Sequence, residues 1–120
     1  MGKTLFLIVF VSLFLTSCIT ANIPGEQGKD PNWVNKWISE KQIQPVENPP
    51  ASISRCIYKD ETVYFIPSEC CDNYSNLYNK DNKIICAPSG GITGHGDGRC
   101  TDFSLDKNNC ELIWRDSRSK

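Results

Sequence analysis

The sequence predicts a small disulfide-rich α+β domain, mainly β: one N-terminal amphipathic helix, then a short-stranded β unit with a long glycine-rich loop. Three observations predict it. An apolar leader sends the chain to an oxidising compartment, and six cysteines remain once that leader is processed. From residue 53 onward, short β-branched and aromatic runs alternate with turn residues.

The leader comes first. Lys3 and the α-amine precede an apolar run over residues 5–15, broken only by Ser12. That run suits an export signal and falls short of the roughly 20 apolar residues that a membrane span takes. Phe6 stands where myristoylation requires Ser or Thr. Leu15-Thr16-Ser17-Cys18 resembles the lipobox of bacterial lipoproteins, which implies a signal peptide over residues 1–17, a lipidated Cys18 and attachment to a membrane. The competing reading is cleavage after Ala21 and free secretion.

Cysteine parity agrees with export. Seven cysteines less Cys18 leave Cys56, Cys70, Cys71, Cys86, Cys100 and Cys110, an even set suited to three disulfides. No C-x-x-C pair is present and His95 is the only imidazole, so the spacing speaks against zinc. The net charge of −1 is spread without a basic stripe, which argues against nucleic acid as a partner. No cofactor is expected.

Residues 18–29 read as a polar tether with Pro and Gly and no apolar period. Residues 30–44 form the amphipathic helix, with its helical turns over 31–42. Asp30 is expected to cap it and Pro31 to occupy its first position, while Trp33, Val34, Trp37 and Ile38 make one apolar face. The tryptophans are expected to dock onto the folded unit that follows. Asn48-Pro49-Pro50 forces an extended connector into that unit, residues 51–115. Strands over 54–58 and 62–66 flank the turn Lys59-Asp60-Glu61, giving a hairpin. Residues 70–78 are expected as an irregular loop or a single helical turn. A turn over 79–82 leads to a strand at 83–86, the last strand covers 112–114, and residues 116–120 form a polar tail.

Strain in the intervening peptide disfavours a bond between adjacent Cys70 and Cys71. They are expected to reach Cys86 and Cys100, one each, leaving Cys56 to pair with Cys110. A unit this small needs such staples, because its hydrophobic core alone supplies about 3–5 kcal/mol.

The segment from Cys86 to Cys100 is the most unusual. Five glycines between positions 90 and 98 predict positive φ angles and close backbone approaches. The segment lacks the ending of a phosphate loop and the spacing of a dinucleotide fingerprint. Asp97 with Asp72 or Asp102 lacks EF-hand spacing for calcium. His95 has no activated nucleophile beside it, Ser89 being one serine among several. A compact loop folded on itself is expected, with Asp97-Gly98-Arg99 as a turn closed by an ion pair. Ser89, His95, Asp97 and Arg99 are its candidate binding residues.

Val63-Tyr64-Phe65-Ile66, Cys70-Cys71-Asp72, Leu77-Tyr78, Cys86-Ala87-Pro88-Ser89-Gly90-Gly91, Gly94 and Gly96-Asp97-Gly98 are distinctive together. With Asn48-Pro49-Pro50, Cys100 and Leu112-Ile113-Trp114 they resemble a family of small bacterial proteins of unknown function, often predicted lipoproteins. The resemblance implies that His95 occupies a variable position and that Cys56 and Cys110 are an additional pair. It implies no activity.

Three functional readings follow. The first is a non-enzymatic cell-envelope lipoprotein, a binding or structural module with a membrane anchor and a protein partner at the envelope. The second is an inhibitor or immunity-like protein presenting residues 90–99. The third is a small metal-dependent hydrolase using His95 and Asp97.

Overall fold

The computed structural model describes residues 30–70 and 72–119. The expected signal peptide, Cys18, the tether and Cys71 lie outside the described residues. Helix α1 spans Asn32–Ile43. Five strands follow: β1 Ser52–Tyr58, β2 Glu61–Ile66, β3 Tyr74–Tyr78, β4 Ile84–Gly90 and β5 Glu111–Arg115. They form one antiparallel sheet in the order β4-β3-β2-β1-β5. The expected α+β class is therefore corrected. The described chain is mainly β, a five-stranded antiparallel sheet accompanied by one short helix.

Local chemistry explains most of the strand ends. Lys59 and Asp60 have φ of 49° and 63°, and Tyr58 lies opposite Glu61. Two successive positive φ angles give a tight turn whose twist matches the strands it joins. At the β3–β4 turn the Asn79 side chain accepts from the amides of Asp81 and Lys83, at 2.9 and 3.0 Å. Strand β3 replaces the loop or helical turn expected for residues 70–78. Its Ser75 and Leu77 are buried, while Tyr74, Asn76 and Tyr78 alternate onto the other face. Strand β4 continues past Cys86 to Gly90, and Pro88 is tolerated there because β4 is an edge strand.

Both faces of the sheet are apolar, and each has a different cover. On one face α1 lays Trp33, Val34, Trp37 and Ile38 over Ile53, Tyr64 and Trp114. Trp33 meets Tyr64 edge-on at 5.3 Å between ring centres, and Trp37 meets Trp114 at 6.0 Å. The tryptophans thus dock onto the folded unit, as expected. Asp30 does not cap the helix; Pro31 holds the cap position and no side chain bonds there. The Asp30 carboxylate instead accepts from Arg55 at 2.7 Å and from the Tyr64 hydroxyl at 3.2 Å. Arg55 and Tyr64 are cross-strand partners on β1 and β2, so together they offer a charge-assisted site stronger than a cap. The second Arg55 nitrogen reaches Glu111 on β5 at 2.9 Å.

On the other face the cover is the β4–β5 connection, residues 91–110. Cys86 bonds to Cys100 and Cys56 to Cys110. The Cys56–Cys110 pairing is as expected. Pairing of Cys86 and Cys100 with Cys70 and Cys71 is corrected, since Cys86 and Cys100 bond to each other. Both lie at the start and end of one loop, so their bond closes it directly. Cys70 is itself disulfide-bonded. Between the bridges, Phe103 packs on Tyr58 and Phe65, each at 5.7 Å between ring centres. The Tyr58 hydroxyl donates to Asp102 at 2.7 Å. Ile57 exchanges bonds with Asn108, its amide donating to the Asn108 carbonyl at 2.8 Å and its carbonyl accepting from the Asn108 side chain at 3.0 Å.

The expected polar tail also has a structural part. Asp116 is buried and its amide donates to Ala51. Arg118 bonds Asp116 through two nitrogens and donates to the carbonyls of Lys41 and Gln44 at 2.8 and 3.0 Å, satisfying the C-terminal end of α1.

Tyr64 is 2% exposed, and burial together with the nearby Asp30 carboxylate pushes its phenol up to about 12. Burial and Asp102 also raise Tyr58. A phenol whose native pKa lies above the unfolded value of about 10 stabilises the fold fully below pH 10, and that contribution is lost as pH climbs toward 12. Ultraviolet titration should find two late-ionising tyrosines. Tyr64→Phe should flatten the alkaline fall in stability between those limits by roughly 2–3 kcal/mol. An unchanged pH profile in that variant would exclude this assignment.

Candidate functional site

The candidate binding residues sit on the turn that ends β4. Gly90 closes the strand opposite Tyr74 with φ of 82°, and the chain folds back so that Gly90 and His95 form a bridge. Backbone bonds fix the reversal. Gly94 donates to Gly91 at 3.1 Å, Gly96 to Gly90 at 3.0 Å and Asp97 to Ala87 at 2.9 Å. All five glycines have positive φ, as the sequence predicts. Gly96 is the tightest of them, because a Cβ there would be driven into the Ala87 carbonyl. Gly94 faces open space.

The four candidate residues are spread along β4 and the turn that follows it. Ser89 is still in β4, opposite Ser75. His95 lies beyond the turn and is exposed, its amide bonded to the Thr93 hydroxyl at 3.3 Å. Asp97 accepts from the Arg99 amide at 3.0 Å and from its side chain at 2.6 Å. The amide bond first, with the guanidinium, holds the Asp97 carboxyl below the usual carboxylate range. This is the expected turn with its ion pair. No hydrogen bond among the described residues joins His95 to Ser89 or Asp97. Among the described residues no three His, Cys, Asp or Glu side chains converge on a metal position. Ile92, at the tip, is 92% exposed.

A second constellation escaped the sequence. At the far end of α1 the Lys41 ammonium bonds the carboxylates of Glu47 and Glu69, the latter at 2.8 Å, and lies 5.7 Å from the centre of the Trp37 ring. Burial raises the Glu47 carboxyl despite Lys41, whereas the Lys41 bond lowers that of Glu69. Burial pulls the Lys41 pKa down, but its bonds to both carboxylates win and raise it overall. These residues flank a cleft of about 310 Å³ between α1 and β3, with Tyr74, Asn76 and Tyr78 from β3 and Asn73 just before it. Lys41 and Glu47 are six residues apart at the end of α1 and carry no motif, and Glu69 is 28 residues from Lys41 in the β2–β3 connection. Glu69 joins the other two only because α1 docks on the sheet beside that connection.

Residues 39–116 match the model of a family described as a domain of unknown function, DUF6970. The match covers well over half of the chain, from the second half of α1 through all five strands and both disulfides above. No curated protein and no solved structure matches the chain.

Glycine substitutions separate shape from surface at this turn. Gly94→Ala should destabilise by about 1 kcal/mol through its φ alone, and Gly96→Ala by clearly more through the added carbonyl clash. His95→Ala should stay within about 0.5 kcal/mol of the parent. Thermal unfolding checks the order, and equal losses at Gly94 and Gly96 would contradict the clash.

Proposed function

This chain belongs to the DUF6970 family, and we propose that it is a cell-envelope lipoprotein whose β domain is a non-enzymatic binding module. The observation that carries the reading is the state of residues 90–99. The turn is fixed by its own backbone bonds and closed by Cys86–Cys100, yet it turns Ile92, His95 and Arg99 outward. A loop ordered before contact loses little conformational entropy on binding, and an exposed apolar tip between polar side chains suits a protein partner. Leu15 to Cys18 supplies the anchor, and the polar stretch after it gives the domain reach from a membrane surface.

An inhibitor or immunity-like protein is the second reading, and the same feature favours it. A stiff loop with Ile92 at its apex has the form of a plug for an enzyme cleft. On that reading the partner is an enzyme and loses activity on binding. With cleavage after Ala21 the product is secreted instead of anchored.

The anchor and the loop are tested separately. The parent protein should incorporate palmitate and partition into detergent, and Cys18→Ser should do neither; an unlabelled, soluble parent in a bacterial host rules the anchor out. Ile92→Asp, His95→Ala and Arg99→Ala should leave melting within about 1 °C of the parent and lose a partner that the parent captures from envelope extract. Capture unaffected by all three variants would rule out the loop.

A further inference from the structure

From the cleft beside α1 we infer a second binding site, one that takes a neutral saccharide unit. It adjoins the candidate loop only where Gly91 backs the Tyr74 ring, and none of the loop's outward side chains line it. The cleft lies on the helix-covered face, beside the start of β3 and beyond the Trp33–Tyr78 contact, and is walled by Trp37, Lys41, Glu47 and Glu69.

The lining chemistry narrows the ligand by class. A fatty or purely apolar ligand would strip water from the exposed Glu69 carboxylate, whose acceptor sites beyond its Lys41 bond would then have no partner. An anion meets two carboxylates against a single lysine, whose charge is already shared between them. A cation finds its place taken, since the Lys41 ammonium bridges Glu47 and Glu69 and lies against the Trp37 ring. What remains is an uncharged ligand with donors, acceptors and an apolar face.

A pyranose ring has all three. Its C–H face matches the ring of Tyr74, which is 49% exposed beside the cleft. The tyrosine is seated by Gly91, where a Cβ would collide with the phenol ring. Hydroxyls both donate and accept, and the cleft supplies partners for both roles. The Lys41 ammonium has three donors and uses two on the glutamates, leaving one. Glu69, with its side chain 58% exposed, keeps acceptor capacity beyond its lysine bond. Asn76 offers both roles in one amide. The cleft volume of about 310 Å³ is at the small-ligand end of binding pockets.

The test titrates the full chain, held in a detergent without a sugar headgroup, with cellobiose and with N,N′-diacetylchitobiose. Intrinsic tryptophan fluorescence and saturation-transfer NMR are the readouts, with spermidine as the cationic control. At least one disaccharide should saturate the protein at millimolar concentration. Tyr74→Ala and Glu69→Gln should each weaken it by about tenfold or more with melting unchanged, and Ile92→Asp should leave it intact. No saturation by either sugar at tens of millimolar overturns the inference, as does sugar binding indifferent to Tyr74→Ala and Glu69→Gln. Saturation by spermidine in place of the sugars overturns it in favour of a cation site. Because the loop variant is read in the same titration, loss of the loop's partner and loss of sugar binding are told apart.

Discussion

A five-stranded sheet has two faces, and here both are lined with apolar side chains that water would otherwise wet. The described chain has one 12-residue helix with which to cover them. That helix shields Ile53, Tyr64 and Trp114 and leaves Val63, Phe65, Leu77 and Tyr58 to be covered by irregular chain. Irregular chain is a poor cover. Its backbone is not self-satisfied, and ordering it works against conformational entropy at every residue. The two bridges answer that problem. In the chain-entropy view, Cys86–Cys100, 14 residues apart, contributes about 3 kcal/mol, and Cys56–Cys110, 54 apart, about 4 kcal/mol. Together they hold residues 91–110 against the sheet so that Phe103 stays seated on Tyr58 and Phe65.

The same closure gives the candidate loop its character. Residues 90–99 occupy the first part of the pinned segment, and their glycines let the backbone turn tightly enough to bond with itself. At Gly96 the backbone passes so close to Ala87 that only hydrogen fits as a side chain. Shape and presentation thus come from different residues: the inward-pressed backbone is structural, while Ile92 and His95 point outward and Arg99 pairs with Asp97 at the surface. The helix-covered face has a parallel division. Asp30, Arg55 and Glu111 tie the entry of α1 to β1 and β5, and Arg118 ties its exit. The cleft opens between those fastenings, beside the start of β3 and beyond the Trp33–Tyr78 contact.

Much of this was legible where one residue determines one local outcome. The Lys59-Asp60 turn, the tryptophan face of α1, the glycine φ angles and the Asp97–Arg99 pair all follow from neighbours in sequence. Features decided by distant contacts were not. Strand β3 was hidden because Ser75 and Asn76 carry no apolar signal, and its period of two appears only when Leu77 is seen buried opposite Phe65. Asp30 has the residue type of a cap, and a cross-strand arginine and tyrosine outbid the helix for it. The Cys86–Cys100 bond was missed because the loop's reversal, which brings those two together, depends on backbone bonds that spacing does not reveal. Lys41, Glu47 and Glu69 are ordinary surface residues in the sequence, and tertiary structure brings Glu69 to the Lys41–Glu47 pair. The α+β expectation gave the helix too much weight, since a single helix lying on a five-stranded sheet leaves a mainly β fold.

The central claim is that the bridges, by holding residues 91–110 on the sheet, keep the whole sheet and with it α1 in place. Hydrogen exchange with and without reductant tests it most directly. The Ile57 amide, bonded to Asn108, reports on the disulfide-pinned cover. The amides of Trp37 and Ile38 report on α1, because a helix of this length is marginal in water unless docked. Full reduction should abolish protection at all three positions together. Retention of α1 protection in the fully reduced protein would contradict the account, for the helix-covered half would then stand alone.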